Sequence, residues 1–519
     1  MRKKRNHFLL LVPYLTVSIL PLVLFFSKGI QSLINSETVK TMQLMDQRVI
    51  VLLLKTIFYS FSVAFLVLVA GTFIGIGLMS MHKAYRKFFM GLLILLIPLP
   101  ITIHSLIWMN IFSRFQWMPL TGWGISVLVQ TVAWLPLGTL IIYDAMTKIP
   151  KGLIEVGQLL SNDLKVFFKI WLPQSKTGMK IVTLGVFLMT FNDYSVPSTF
   201  AVTTFPMEIF ASYSISLNAG DAMITSLPMV FLGFGLALPL MNSIKKQFFS
   251  GPSTRDDTFI QEIALLNKYL SKITMLIILL IIVLPLIALF QNTRFSSFSL
   301  MNDGGYEILA TLWICFGGGL LALPIMILAA LFIVHHNNRH SFILLLILLP
   351  TLISPALIGA ALIHLMNRPI FREIYLSHLM GMLAVMIRFM PFGVLVIVAG
   401  LKRIPEDYMA VGYMTVKNYK KPLTRILLPL AIPSIVIATG MVFLLGIGEL
   451  GTSVMVLPPG ISTITVRIFG YLHYGATELI AEVSIVVIAI IFIIEFVLYI
   501  LIRKGFKSLR IGGRYDSSK

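Results

Sequence analysis

Long, uninterrupted apolar runs decide what this chain can fold into. A helix needs about 20 mostly apolar residues to cross a bilayer, and twelve such stretches occur along the 519 residues. They cover 8–27, 51–79, 88–112, 124–143, 181–200 and 223–241, then 273–290, 309–334, 342–366, 379–400, 432–456 and 479–502. The runs are continuously hydrophobic, not alternating, so helices and not barrel strands are expected to span the membrane. Charged residues make up only 12% of the chain, about half the share of a soluble domain. A soluble core has no room for so much apolar surface. The expected fold class is therefore an all-α integral membrane protein with about twelve transmembrane helices.

The net charge of +20 would suggest a nucleic-acid partner in a soluble protein. Its distribution argues otherwise. With both termini on the cytoplasmic side, inside segments hold 31 of the 41 Lys and Arg and outside loops hold 8; Lys55 and Arg388 lie within spans. That bias follows the positive-inside rule, so the excess charge faces an anionic leaflet, and no nucleic acid is needed to explain it. The basic start Arg2-Lys3-Lys4-Arg5 resembles a signal peptide. The apolar stretch after it is too long for one, and it is expected to stay as the first span. The single cysteine, Cys315, excludes disulfides within the chain and a multi-cysteine metal site. His104, His364 and His473 do not have ligand spacing, and no metal or cofactor is expected on this chain.

The chain repeats itself at an offset of 255 residues. Thr56 matches Thr311, Pro100 matches Pro355, Pro136 matches Pro391, and Gly138 matches Gly393. Ile149-Pro150 matches Ile404-Pro405, and Val156-Gly157 matches Val411-Gly412. The register then slips by one, so that Leu172-Pro173 matches Leu428-Pro429 and Asp193 matches Glu449. With six spans per unit the two halves have the same orientation, giving two parallel six-helix repeats. The expected organisation is a first half over 1–242, a cytoplasmic linker over 243–272, a second half over 273–502 and a basic cytoplasmic tail over 503–519.

In each half the loop between the fourth and fifth spans is long, at 149–173 and 404–429. Each opens with Ile-Pro, which suits a helix start, and closes on a basic amphipathic piece ending in Leu-Pro. The expected structure is a short surface helix with a polar elbow, able to be pushed by a partner. The first loop carries Glu155-Val156-Gly157, Ser161 and Leu172-Pro173; the second carries Ala410-Val411-Gly412, Val416 and Leu428-Pro429.

These residues resemble the EAA loops of type I ABC importer permeases. The family pattern has a glycine where Ser161 and Val416 stand, and a glutamate that only the first loop keeps. Gly448-Glu449-Leu450-Gly451-Thr452 and the following Leu457-Pro458-Pro459-Gly460 also resemble fused permeases of the ferric-iron, thiamine, polyamine and aminoethylphosphonate kind. The resemblance implies a bacterial inner-membrane permease whose two loops dock on two copies of a cytoplasmic ABC ATPase. It also implies an extracytoplasmic solute-binding protein as a further partner. No GxxxxGK[ST] phosphate loop occurs in the chain. ATP and Mg are therefore expected on the partner ATPase, and no residue here is expected to be catalytic.

Ionisable residues within spans are costly and point to function or pairing. Asp193 and Glu449 occupy matched places and would either line a cation pathway or cap loop backbone at an interface. Arg388, whose repeat mate is Ala133, would either pair with an acid or meet an anionic solute group. The two acids favour ferric iron, thiamine or a polyamine; Arg388 favours a phosphonate. Glu495 is expected to pair with Arg503. An ion-coupled secondary transporter is the alternative, although it leaves the two long loops without a role. A polytopic membrane enzyme would need His, Asp and Glu clustered at one face, and the sequence has no such cluster.

Overall fold

The computed structural model describes residues 9–35, 47–113, 121–216, 219–248, 264–291, 293, 304–335, 341–404, 426–474 and 477–511. Every regular element among them is helical. In chain order the main helices are α1 Val12–Ser18, α2 Leu20–Asn35, α3 Gln47–Met79, α4 Lys83–Leu96, α5 Ile101–Phe112 and α6 Trp123–Thr147. They continue as α7 Lys151–Leu160, α8 Lys176–Phe191, α9 Phe205–Ser216, α10 Ala219–Phe248, α11 Ala264–Gln291 and α12 Gly305–His335. The chain closes with α13 Ser341–Leu352, α14 Pro355–Met366, α15 His378–Leu401, α16 Leu428–Ile447, α17 Ile464–Tyr474 and α18 Thr477–Ile511.

Among the described residues, eight helices are long and apolar enough to cross a membrane, and up to eleven spans result if each bent pair is one span. The chain is a multi-pass membrane protein. The expected spans 88–112 and 342–366 are not straight: α4 and α5 meet at 103°, and α13 and α14 meet at 93°. Proline explains both bends, because it lacks an N–H and pushes the residue before it out of helical geometry. Pro100 sits at the N-cap of α5, and Ser354 before Pro355 takes φ −55° and ψ 137° at the N-cap of α14. The expected span 181–200 breaks as well. Helix α8 stops at Phe191 after 16 residues, short of a full crossing, and a separate turn covers Ser195–Thr199. Helices α10 and α11 run into the expected linker from either side, and α18 continues to Ile511.

Helices α3, α6 and α8 form one tight three-helix unit, and α12, α15 and α16 form a second. Glycines permit the close approach. A Cβ on Gly138 would lie 2.5 Å from Val67 Cγ1, and one on Gly393 would collide with the Met326 sulfur. The remaining helices interlock the halves. Helix α2 packs on α14 and α1 on α12, while α11 packs on α3 and α5. The Tyr14 hydroxyl donates to the Ile347 carbonyl at 2.5 Å across this junction. Helix α9 lies on α14, and α17 lies on α5, so each bent third span is clamped by an element of the other half.

Two contacts recur at matched places. Thr56 Oγ1 accepts from the Phe205 N–H at 2.9 Å, and Thr311 Oγ1 accepts from the Ile464 N–H at 2.8 Å. Each threonine thus ties the first residue of α9 or α17 to the second span of its own half.

Candidate functional site

The first loop forms a hinged surface helix. Helix α7 follows Pro150, and its buried side presents Ile154 to the protein. Gly157 lies on that side as well, where a Cβ would run into the end of the Ile170 side chain. The small residue therefore lets α7 cross closely over the returning segment. Ser161 then adopts φ −159° and ψ 166°. That is ordinary extended backbone, which explains why serine serves where the family pattern has glycine. The chain returns through Asp163–Val166 and a widened π-type turn at Phe167–Trp171 before Leu172-Pro173. Pro173 supplies no N–H to the preceding turn, which favours the wider spacing. A similar turn at 426–427 precedes Leu428-Pro429 at the start of α16. Ala410, Val411, Gly412 and Val416 lie outside the described residues.

The outer side of α7 is apolar and open. Leu159 is 86% exposed and Leu160 81% exposed, and Leu153 and Val156 are exposed beside them. Glu155 is exposed on the same helix. The base of the loop is anchored. Lys148 Nζ pairs with Asp144 Oδ2 at 2.6 Å and donates to the Gln247 carbonyl at 3.0 Å, and Gln247 Nε2 donates to Asp144 Oδ2 at 3.1 Å. The end of α6 is thereby tied to the end of α10.

The second constellation lies where the fifth spans break. Asp193 stops α8 and caps the next turn. Its Oδ1 accepts from the Ser195 N–H at 3.1 Å and the Ser195 hydroxyl at 2.6 Å, and its Oδ2 accepts from the Val196 N–H at 3.4 Å. Gln130 Nε2 on α6 donates to the same Oδ2 at 2.9 Å. Tyr59 on α3 extends the chain, donating to Gln130 Oε1 at 2.6 Å and sharing a 2.7 Å hydrogen bond with Ser126. Glu449 does the matching work after α16. Its Oε1 accepts from the Thr452 N–H at 2.7 Å, and its Oε2 pairs with Arg388 Nε on α15 at 2.7 Å. Glu495 has no ion pair with Arg503 among the described residues, and its Oε2 is buried without a hydrogen-bond partner. Eight residues of helix rise about 12 Å, which is too far for that pair.

The breaks converge. Asn192 Nδ2 donates to the Leu352 carbonyl at 3.3 Å, at the bend between α13 and α14. A Cβ on Gly451 would lie 2.6 Å from Pro355 Cβ and 3.5 Å from Tyr194 Cε1, and one on Gly448 would lie 3.3 Å from Pro100 Cα. Tyr194 follows Asp193 in the chain, and Gly451, which lies against the Tyr194 ring, is two residues past Glu449, the partner of Arg388. The three ionisable residues singled out in the sequence thus share one locality. Tyr194, Gln130 and Tyr59 did not stand out, because uncharged polar residues carry no strong cost in an apolar run. The adjacency of Tyr194 to Asp193 was the available clue.

Residues 67–245 match the family model of the binding-protein-dependent transport system inner membrane component. The matched range runs from α3 to α10 and contains the whole first loop and Asp193. It supports an ABC importer inner-membrane permease family, and with it a transport subunit rather than an enzyme. Members of the matched family work with an ATPase and a binding protein. No curated protein and no solved structure matches the chain.

Proposed function

We propose that the chain is a fused double permease of an ABC importer, with both membrane halves in one polypeptide. It takes a small solute from an extracytoplasmic binding protein and passes it to the cytoplasm by alternating access. Two copies of a cytoplasmic ATPase dock on the two long loops, and their closure moves the loops together. The observation that carries this is the first loop: an apolar helix tip of Val156, Leu159 and Leu160 exposed on a hinged, anchored base, within the range that matches the family. Exposed leucines at such a tip fit a groove on a partner far better than they fit water. The Pro-bounded ends pass a push on α7 to α6 and α8, and α8 ends at the Asp193 break. Movement at the loop is thereby coupled to the centre of the bundle.

Co-purification tests the proposal. The solubilised chain should retain an ABC ATPase, and Leu159→Asp with Leu160→Asp should strip it while leaving the membrane bundle folded. A wild-type preparation that captures no ATPase, or uptake that survives deletion of residues 155–161, overturns it.

A further inference from the structure

The convergent breaks hold an unusual surplus of unused donors. Both acids are already engaged. Asp193 accepts four hydrogen bonds, from Ser195 N–H and hydroxyl, Val196 N–H and Gln130, which is about the full capacity of a carboxylate. Glu449 is 4% exposed and is held by Thr452 N–H and Arg388 Nε. Around them, Arg388 Nη1, the Tyr194 hydroxyl, Ser354 Oγ and Thr452 Oγ1 are buried with no hydrogen-bond partner among the described residues. Among the described residues of the same locality, Asn192 Oδ1 is the one acceptor-only atom without a partner.

The residues that carry these groups are neighbours. Thr452 follows Gly451, which lies against both Tyr194 and Pro355, and Ser354 precedes Pro355. Arg388 reaches the same turn through Glu449, whose other oxygen holds the Thr452 N–H. The Tyr194 ring is stacked on Phe210 at 5.6 Å and meets Phe469 edge-on at 6.5 Å, which fixes its position. Leaving several buried polar groups unpaired is unfavourable, and a guanidinium N–H can only donate. A partner for Arg388 Nη1 must therefore offer an acceptor, to which the three hydroxyls can donate as well. A cation would need free carboxylate oxygens; those of Asp193 are fully taken, and the buried Glu449 already gives one oxygen to the Thr452 N–H and the other to Arg388.

We propose that the converging breaks form an intramembrane site for an oxyanion group, such as a phosphate, phosphonate or carboxylate, held by Arg388 and the hydroxyls of Tyr194, Ser354 and Thr452. Calling the ligand the transported solute rests on the permease proposal above; the site chemistry does not. It favours an anionic or zwitterionic solute over the cations suggested by the two acids alone.

The test uses the full chain in lipid nanodiscs, titrated with inorganic phosphate, methylphosphonate, acetate and, as the cation, putrescine. At least one oxyanion should bind and raise the thermal midpoint, and the strongest of the three identifies the group. Putrescine should not. Tyr194→Phe and Thr452→Val remove hydroxyls that have no partner, so the probe-free midpoint should hold or rise. Oxyanion affinity should nevertheless fall roughly five- to tenfold in each. Arg388→Gln with Glu449→Gln keeps an acceptor for Thr452 N–H, removes both charges and should abolish binding. Binding of putrescine alone, no oxyanion binding at millimolar concentration, or unchanged affinity in the hydroxyl variants overturns the site. Capture of the ATPase is scored in the same preparations. Capture without oxyanion binding defeats the site alone, and oxyanion binding without capture defeats the permease proposal alone.

Discussion

The two halves of the bundle solve one problem with different chemistry. In each, a helix ends, α8 at Phe191 and α16 at Ile447, and a carboxylate caps the turn that follows. In the first half that carboxylate, Asp193, is steadied by a hydrogen-bonded chain through Gln130 and Tyr59 that crosses three helices. In the second half Glu449 is steadied by one ion pair with Arg388. The positions matching Tyr59 and Gln130 are Ile314 and Val385, and the position matching Arg388 is Ala133. The carboxylate caps thus match, while the residues that hold them differ. Losing an uncharged member of the first arrangement leaves one polar group short of a partner, which costs about 1–2 kcal/mol. Losing one member of a buried ion pair costs more, because the other charge is stranded.

That difference sets the largest expected effect. Arg388→Leu leaves Glu449 buried and unpaired and should cost about 3–5 kcal/mol of stability, read from denaturant unfolding of the purified protein. Arg388→Leu with Glu449→Gln should recover most of the loss, because glutamine still accepts from Thr452 N–H. Asp193→Asn in the first half keeps one acceptor oxygen and should cost only about 1–2 kcal/mol. If Asp193→Asn proves as damaging as Arg388→Leu, the two halves are not held differently after all.

A smaller effect tests the neutral network itself. Tyr59→Phe removes the donor to Gln130 and the bond shared with Ser126. About 1–2 kcal/mol should be lost, with the Asp193 cap intact. Tyr59→Phe and Asp193→Asn should be non-additive in the double variant, since members of one network couple.

Much of this architecture was legible in the sequence, for physical reasons that vary by element. Apolar run length reports where a helix can cross, because lipid leaves backbone groups no other partner. The matched Pro100 and Pro355 marked equivalent places, yet nothing in the hydropathy of 88–112 or 342–366 foretold bends of 103° and 93°. Apolar residues suit a bent span and a straight one equally, and the direction is set by packing against the other half. Asp193 and Glu449 were conspicuous because charge in an apolar run is costly. Their partners were not, since Gln130 and Tyr59 sit on other helices and only the fold brings them together. The pairing of Glu495 with Arg503 failed on simple helix length. The serine at the elbow of the first loop shows the converse: residue type marked a departure, and the backbone angle explained why it is tolerated.

The smallest effects belong to a second exchange between the halves. Counted from the threonine-bound residues Phe205 and Ile464, Glu208 on α9 and Arg467 on α17 occupy the same helical position. Glu208 pairs with Arg48 on α3 at 3.2 Å, and Arg467 pairs with Glu307 on α12. The same two elements are joined in each half, with the charges reversed. The Arg48 side chain is 74% exposed, whereas those of Arg467 and Glu307 are 26% and 13% exposed. Arg467→Gln should therefore cost about 1–2 kcal/mol, and Arg48→Gln under about 1 kcal/mol, falling further with added salt. Helix polarity does not separate them, because each pair sets an acid and a base at two helix starts: Glu208 and Arg48 at those of α9 and α3, Glu307 and Arg467 at those of α12 and α17. An acid at a helix start is favoured by the helix dipole and a base there is not, so exchanging the two leaves that balance even. Glu307→Arg with Arg467→Glu would give the second pair the polarity of the first, and it should restore about wild-type stability where either single change is destabilising. Equal costs for Arg467→Gln and Arg48→Gln, or a double exchange no better than the singles, would show that the polarity of this pair is not interchangeable between the halves.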